Sequence, residues 1–181
     1  MYKVIALIGK AGAGKDTVLQ YIQKITHHMF HEIVSSTSRP MRDYEIEGIN
    51  YHFLSKEEFL EKIENGHMLE HTKFNGWYYG TSLNSLREDK INIGVFNPAG
   101  IYSLLKREDI ELTVYYIDAC PKLRLLRQLN REDEPNVDEI IRRYNTDNLD
   151  FLSLAFDYEK LVNEKEEDLR LCALHILDKT R

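Results

Sequence analysis

Cysteine, proline and tryptophan are scarce: two, four and one, respectively, in 181 residues. Cys120 and Cys172 are far apart and sit among apolar neighbours, so both are expected to be buried thiols rather than parts of a disulfide framework or a metal site. A reducing, cytoplasmic setting fits. No apolar run approaches the ~20 residues of a membrane-spanning helix, and no leader of basic, apolar and small residues precedes the first apolar stretch. No membrane association is therefore expected. Positive charge is in deficit as well. The formal net charge is −6 at pH 7, whereas a nucleic-acid surface is basic, so nucleic acid is not an expected partner and arginine clusters must act locally. Internal repeats, low-complexity tracts and linkers are missing too, which leaves one domain. Its 43% hydrophobic content suits one core with a small inserted piece.

What is present is a phosphate-binding pattern. Val4 to Ile8 is an apolar run short enough for a buried parallel strand. Gly9-Lys10-Ala11-Gly12-Ala13-Gly14-Lys15-Asp16-Thr17 follows, and apolar spacing resumes at Val18, Leu19, Ile22 and Ile25 with helical period. Strand, glycine-rich loop and helix together aim backbone N–H groups and a helix N-terminus at one point, where they hold phosphate. Lys15 then reaches the terminal phosphates as a mobile cation. The pattern asks for Ser or Thr where Asp16 stands, and that hydroxyl is ordinarily a Mg²⁺ ligand. Either Asp16 supplies a carboxylate, Thr17 substitutes, or Asp16 only favours the first helical turn by its charge.

Strands and helices alternate from there. Glu32 to Ser36 reads as a short strand, and His27, His28 and His31 before it read as helix-end histidines rather than a metal cluster. Tyr51 to Leu54 reads as a strand. Ser55 and Glu58 form a capping box for a helix presenting Phe59, Leu60 and Ile63, with Gly66 ending it. Leu69–Phe74 and Trp77–Tyr79 flank Asn75-Gly76, a strong hairpin signal. Ile91 to Phe96 is a strand, with Asn97 and Pro98 as cap and first residue of a helix carrying Ile101, Leu104 and Leu105. Glu111 to Ile117 is a strand, and Pro121 opens a helix whose apolar face is Leu125, Leu126 and Leu129. After a polar loop from Asn130 to Asn136, a helix carries Val137, Ile140, Ile141 and Tyr144. A strand near Tyr158 to Val162 and a helix with Leu169, Cys172, Ala173 and Ile176 close the pattern. The expected architecture is α/β: a P-loop NTPase fold with a parallel sheet flanked by helices, core 1–36 and 91–181, a small mixed insert at 37–90, and a lid at about 127–142.

Arg39, Arg42, Tyr51 and Tyr79 lie on the insert, and two guanidinium forks with two phenols suit a phosphate monoester. Solvated arginines and core tyrosines remain the alternative. Arg127, Arg131 and Arg142 flank the polar loop, where they either neutralise a transferring phosphoryl group or pair with Glu132, Glu134 and Asp138 on a helix surface.

With those residues in view, the chain resembles the guanylate kinases from about Lys3 to Glu164. Ser35-Ser36-Thr37-Ser38-Arg39-Pro40-Met41-Arg42 resembles the family's nucleotide-monophosphate segment, with onward spacing to Gly48, Tyr51 and Phe53. Glu70 and Tyr78-Tyr79-Gly80-Thr81 are similarly close. The resemblance implies that Arg39, Arg42, Tyr51 and Tyr79 hold an acceptor phosphate. It implies that Ser35, Glu70 and Thr81 read guanine, that Arg127, Arg131 and Arg142 are lid and hinge arginines, and that Asn163 seats adenine. Lys15, Arg39, Arg131 and Arg142 would be the catalytic cations. ATP, GMP or dGMP, and Mg²⁺ near Asp16 and Thr17 follow as expectations, with the chain a monomer or homodimer. An ionised carboxylate at Glu70 can accept from guanine N1–H and the 2-amino group together, a pair adenine does not offer.

Asp16 departs from the family, as does Asn97, counted here with the acceptor site, where the family has Asp. Asn97 before Pro98 is equally a good helix cap. Both departures occur in the related ribose 1,5-bisphosphate phosphokinases, which have no use for the guanine set. A guanylate-kinase-like interaction module without catalysis is the other alternative, and the intact loop speaks against it.

Overall fold

Strand β1 (Tyr2–Ile8) is buried from Val4 to Ile8, as a strand covered on both faces must be. The computed structural model describes every residue except His28, Asp43, Tyr44, Asn75, Glu132, Asp133 and Arg181, and leaves the side chain of Phe74 undescribed. Helix α1 (Lys15–Ile25) buries Val18, Leu19 and Ile22 of the stripe that its apolar spacing predicts, while Ile25 in the last turn is exposed.

The expected strand from Glu32 to Ser36 is instead two strands in two sheets, β2 (His31–Glu32) and β3 (Ser36–Thr37). The apolar centre of that stretch, Ile33, extends the β2 pairing by donating its N–H to the Ile93 carbonyl at 2.8 Å, and the chain then leaves for the second sheet. His31 accordingly lies in a strand rather than at a helix end, with Nε2 2.9 Å from the Ser85 carbonyl. His28 lies outside the described residues, and no metal-binding cluster is found among the described ones.

Strand β4 (His52–Phe53) precedes α2 (Lys56–Glu64). Ser55 and Glu58 form both bonds of the expected capping box, at 3.1 and 2.7 Å. Gly66 follows in the left-handed region at φ 67°, which a side chain would resist. Strands β5 (Met68–Phe74) and β6 (Trp77–Ser82) pair antiparallel with Phe74 opposite Trp77. The expected hairpin is there, although Asn75 of its turn lies outside the described residues.

Strand β7 (Ile91–Val95) is followed by α3 (Pro98–Leu104), β8 (Ile110–Asp118), α4 (Pro121–Leu129), α5 (Val137–Asp150), β9 (Glu159–Val162) and α6 (Glu166–Asp178). One five-stranded sheet has the order β2-β7-β1-β8-β9, with β2/β7 and β8/β9 parallel. A four-stranded sheet has the order β4-β3-β6-β5. The fold is mixed α/β with a parallel sheet and helices.

Two compact units are distinguished. The first comprises Met1–Ile5, Phe30–Gly94 and Ala99–Leu112. Phe59 is fully buried there and stacks on Tyr78 at 5.6 Å, while buried Asn92 bonds the backbones of Arg87, Lys3 and Lys90. The second comprises Ala6–Met29, Val95–Pro98 and Thr113–Arg181. There α6 packs on α1 and buries Cys172, Ala173 and Ile176. Burial pushes the Cys172 thiol up to about 11.

Several expectations drawn from side-chain apolarity fail, among them Val137 and Ile141 of α5, both exposed. Cys120 is exposed, because it caps α4 at a turn where its N–H donates to Glu164 Oε1. Leu126 and Leu129 of α4 are exposed and Arg124 is buried. Leu105 is exposed just past the end of α3.

Candidate functional site

In the second unit, the turn after β1 is shaped by Gly9, Gly12 and Gly14, at φ 151°, 79° and 92°. A side chain at Gly12 would strike the backbone of Arg124, and one at Gly14 would strike the Asn163 amide. The loop therefore passes where only hydrogen fits. Gly14 caps α1 with no side-chain bond, which leaves the first N–H groups of the helix for a ligand.

Lys15 opens that helix, and its Nζ donates to the Gly9 carbonyl at 2.7 Å. Loss of hydration lowers its pKa, with Asp16 and Asp147 opposing the shift and Arg143 and Arg124 adding to it. Positive charge thus converges on the loop from three side chains. Lys10 Nζ donates to Asn148 Oδ1 at 2.8 Å, and Ala11 N–H donates to Asp147 Oδ2 at 2.5 Å. Asp16 and Thr17 are exposed on the first turn of α1.

Arg127 lies on α4 and donates from Nη1 to the carbonyls of Gly12, Ala13 and Asn163, at 3.3, 3.4 and 3.0 Å. Asn163, just past β9 and 4% exposed, donates from Nδ2 to the Ala13 carbonyl at 2.9 Å. Both side chains are clamped on the loop. Beside them opens a cleft of about 180 Å³ whose lining includes Gly14, Thr17, Arg127, Asn163 and Leu169 together with the charged run from Glu164 to Glu166.

Arg131 stands on the exposed segment after α4. Arg142 on α5 forms a two-pronged ion pair with Glu139, at 2.7 and 3.0 Å, which raises its pKa. Glu139 is on the same helix and was not among the acids named from sequence, of which Glu132 lies outside the described residues. The neighbouring Arg143 is the one felt at Lys15. Asn97 is exposed between β7 and α3, in this same unit. The other seven residues expected to bind the acceptor belong to the first unit.

In the first unit, Arg39 holds Glu45 through both prongs, Nη1 to Oε2 at 2.9 Å and Nη2 to Oε1 at 2.6 Å. The same carboxylate accepts the Arg42 N–H at 2.8 Å. The pair lifts the Arg39 pKa and holds the Glu45 carboxyl below its ordinary range, with a smaller contribution to Arg39 from Tyr79. The guanidinium carbon of Arg39 lies 5.7 Å from the ring centres of both Tyr51 and Phe53, and Tyr51 meets Tyr79 edge-on at 6.1 Å. One cation and two phenols are thus gathered as expected, and Arg42 follows on the same turn.

Glu70 on β5 stands opposite Thr81 on β6 in the hairpin register. Thr81 Oγ1 donates to Glu70 Oε1 at 2.8 Å. Burial raises the Glu70 pKa, opposed by the Thr81 bonds. Tyr79, two residues before Thr81, shares its face of β6. Ser35 precedes β3, and its carbonyl accepts the His52 N–H at 2.9 Å.

Arg124, Arg143, Asp147 and Glu45 were absent from the residues expected from sequence. Glu45 carried a signal, an acid within reach of two arginines across a proline turn. The others carried none.

A family model described as guanylate kinase matches residues 1–171. Curated guanylate kinases of Streptococcus pyogenes serotypes M3 and M18 are 44% identical over 85 residues, 47% of this chain and 40% of theirs. The matched stretch therefore spans two fifths of the length of those relatives. In fold, the chain resembles the crystal structure of a guanylate kinase from Anaplasma phagocytophilum, with a TM-score of 0.66 over 98% of this chain and 83% of that one, at 23% identity.

Proposed function

The chain belongs to the guanylate kinase family, and from that premise we propose that it transfers the γ-phosphoryl group of ATP to the phosphate of GMP or dGMP. The observation that carries the acceptor assignment is the Glu70–Thr81 pair, 2.8 Å apart on neighbouring strands. A half-buried carboxylate beside a hydroxyl suits guanine, whose N1–H and 2-amino group both donate while its O6 accepts. A ribose bisphosphate offers no base to meet them. Arg39, Arg42, Tyr51 and Tyr79 take the acceptor phosphate, and Ser35 assists at the base.

The glycine loop takes the donor. Backbone N–H groups from Ala11 to Thr17 surround the phosphates, and Lys15 exchanges its bond to the Gly9 carbonyl for phosphate oxygens. Adenine lies in the cleft against Arg127, Asn163 and Leu169. Mg²⁺ is expected with the nucleotide, and a carboxylate and a hydroxyl at Asp16 and Thr17 are the hard oxygen donors that it prefers. Two side chains do not complete an octahedron, so phosphate oxygens and waters supply the rest. When bound, the ion neutralises charge on the phosphates.

In the reaction, an oxygen of the acceptor phosphate bonds to the γ-phosphorus while the bond to the β-phosphate oxygen breaks, which yields ADP and GDP or dGDP. The protein forms no covalent bond. Lys15 and arginines of the lid, Arg131 and Arg142 together with Arg143, offset charge on the transferring oxygens, while Arg39 holds the acceptor in line. A reducing cytoplasm suits the exposed thiol at Cys120, and no helix among the described residues is long and apolar enough to cross a membrane.

ADP formation from ATP and GMP tests the reading, with Lys15→Ala as control. The variant should lose at least about a hundredfold in turnover, about 3 kcal/mol, while keeping its fold. Near wild-type turnover would remove the loop from the mechanism, and full activity in excess chelator would remove the metal.

A further inference from the structure

Arg124 is 2% exposed on α4, and its Nε and Nη1 have no hydrogen-bond partner among the described residues. Buried polar groups are rarely left so, and an unpaired buried charge is among the most destabilising features a fold can carry. Arg124 and Lys15 are close enough for their like charges to oppose each other. Its guanidinium carbon lies 5.3 Å from the ring centre of Tyr144, a cation–π contact that answers part of the charge and leaves the Nε and Nη1 donors unused. The backbone of Arg124 presses against Gly12 of the phosphate loop. One turn further along α4, Arg127 donates from Nη1 to loop and Asn163 carbonyls, so the two arginines differ in their partners. Arg127 fastens the loop, whereas Arg124 keeps two donors, Nε and Nη1, without a partner among the described residues.

We propose that Arg124 is a second donor-phosphate residue beside Lys15, its free N–H groups completed by oxygens of the nucleotide polyphosphate. A guanidinium offers two parallel donors to one phosphate, which the single ammonium of Lys15 does not. The inference deepens the proposed function, since it rests on the glycine loop being the donor site. On this account the protein tolerates an unpaired buried cation for the sake of ligand binding, so stability and binding should respond in opposite directions when it is removed.

The test uses the full chain and inorganic tripolyphosphate, read by titration calorimetry and thermal melting, with GMP as a control for the other site. Arg124→Met should melt at or above the unsubstituted protein, bind tripolyphosphate at least about tenfold more weakly, and respond normally to GMP. Arg124→Lys should recover part of the affinity. Unchanged tripolyphosphate affinity in Arg124→Met would overturn the inference. So would a lower melting temperature with unchanged affinity, which would make Arg124 a packing contact between α4 and α5. Should Arg124→Met not fold, Arg124→Lys decides: a loss of at least threefold is expected, and no loss overturns it. If the unsubstituted protein fails to bind tripolyphosphate, the donor-site reading itself is wrong and this inference falls with it.

Discussion

Asp147 Oδ2 accepts the backbone N–H of Ala11 at 2.5 Å, so a carboxylate from α5 occupies a donor of the phosphate loop across 136 positions of sequence. Its neighbour Asn148 takes Lys10 in the same way. A phosphate must displace this acid or share the loop with it. Both are anions, so the acid opposes binding by charge as well as by place.

Asp147→Asn keeps an acceptor for Ala11 but removes the charge. Tripolyphosphate affinity should rise about three- to tenfold, the worth of one hydrogen bond no longer contested by an anion. Calorimetric titration checks this, and equal or weaker binding would mean that the acid stays in place when phosphate binds.

The Arg39–Glu45 pair aims the guanidinium that receives the acceptor. Glu45→Gln keeps one acceptor oxygen and removes the charge, so the fork loosens. With ATP saturating, KM for GMP should rise roughly 3- to 30-fold, about 0.7–2 kcal/mol, with turnover changed much less. A fall in turnover with KM unchanged would place Glu45 at the transferring phosphate instead.

Two adjacent arginines of α5 are predicted to differ. Glu139 holds Arg142 through two bonds, at 2.7 and 3.0 Å, and Arg143 only by a 3.9 Å ion pair, while Arg143 is near enough to Lys15 for their like charges to oppose each other. Arg143→Ala should therefore lower turnover at least about tenfold, and Arg142→Ala less, because part of its charge is already answered. The reverse ranking would show that Arg142 leaves Glu139 when the lid closes.

Glu70 makes stability depend on pH. Burial raises its folded pKa above the unfolded value, so the folded protein binds the proton more tightly and loses stability as pH rises between the two. Above the folded pKa the ionised Glu70 is a standing destabilisation. Glu70→Gln should thus melt higher than the unsubstituted protein at neutral pH, and the gap should close as pH falls to the ordinary glutamate range. A gap independent of pH would contradict the shift.

What was legible in the sequence was local. The glycine loop, the capping box at Ser55 and Glu58, and the hairpin joining β5 and β6 each depend on residues within a few positions of one another, so spacing alone specifies them. The Glu70–Thr81 pair came with the hairpin, since its register sets which residues face each other. Arg124, Arg143 and Asp147 were not legible. Their roles depend on which face of α4 or α5 meets the loop, and Arg142 and Arg143 point about 100° apart on one helix with nothing in composition to rank them. Cys120, Leu126 and Leu129 depart from expectation for the same reason: apolarity alone does not decide burial, and on α4 the buried position belongs to an arginine. The split of the 32–36 stretch into β2 and β3 was hidden because a chain passing between two sheets keeps the same extended pattern throughout.

The central claim, phosphoryl transfer to a guanine nucleotide, is tested most directly by ADP formation with GMP, dGMP, AMP and ribose 1,5-bisphosphate, in the unsubstituted protein and in Glu70→Gln. The account predicts that GMP or dGMP is the preferred acceptor. It also predicts that Glu70→Gln lowers kcat/KM for that acceptor by about 2–4 kcal/mol, roughly thirty- to a thousandfold, with ATP affinity nearly unmoved. Faster transfer to AMP or to ribose 1,5-bisphosphate, or unchanged GMP kinetics in Glu70→Gln, would contradict it.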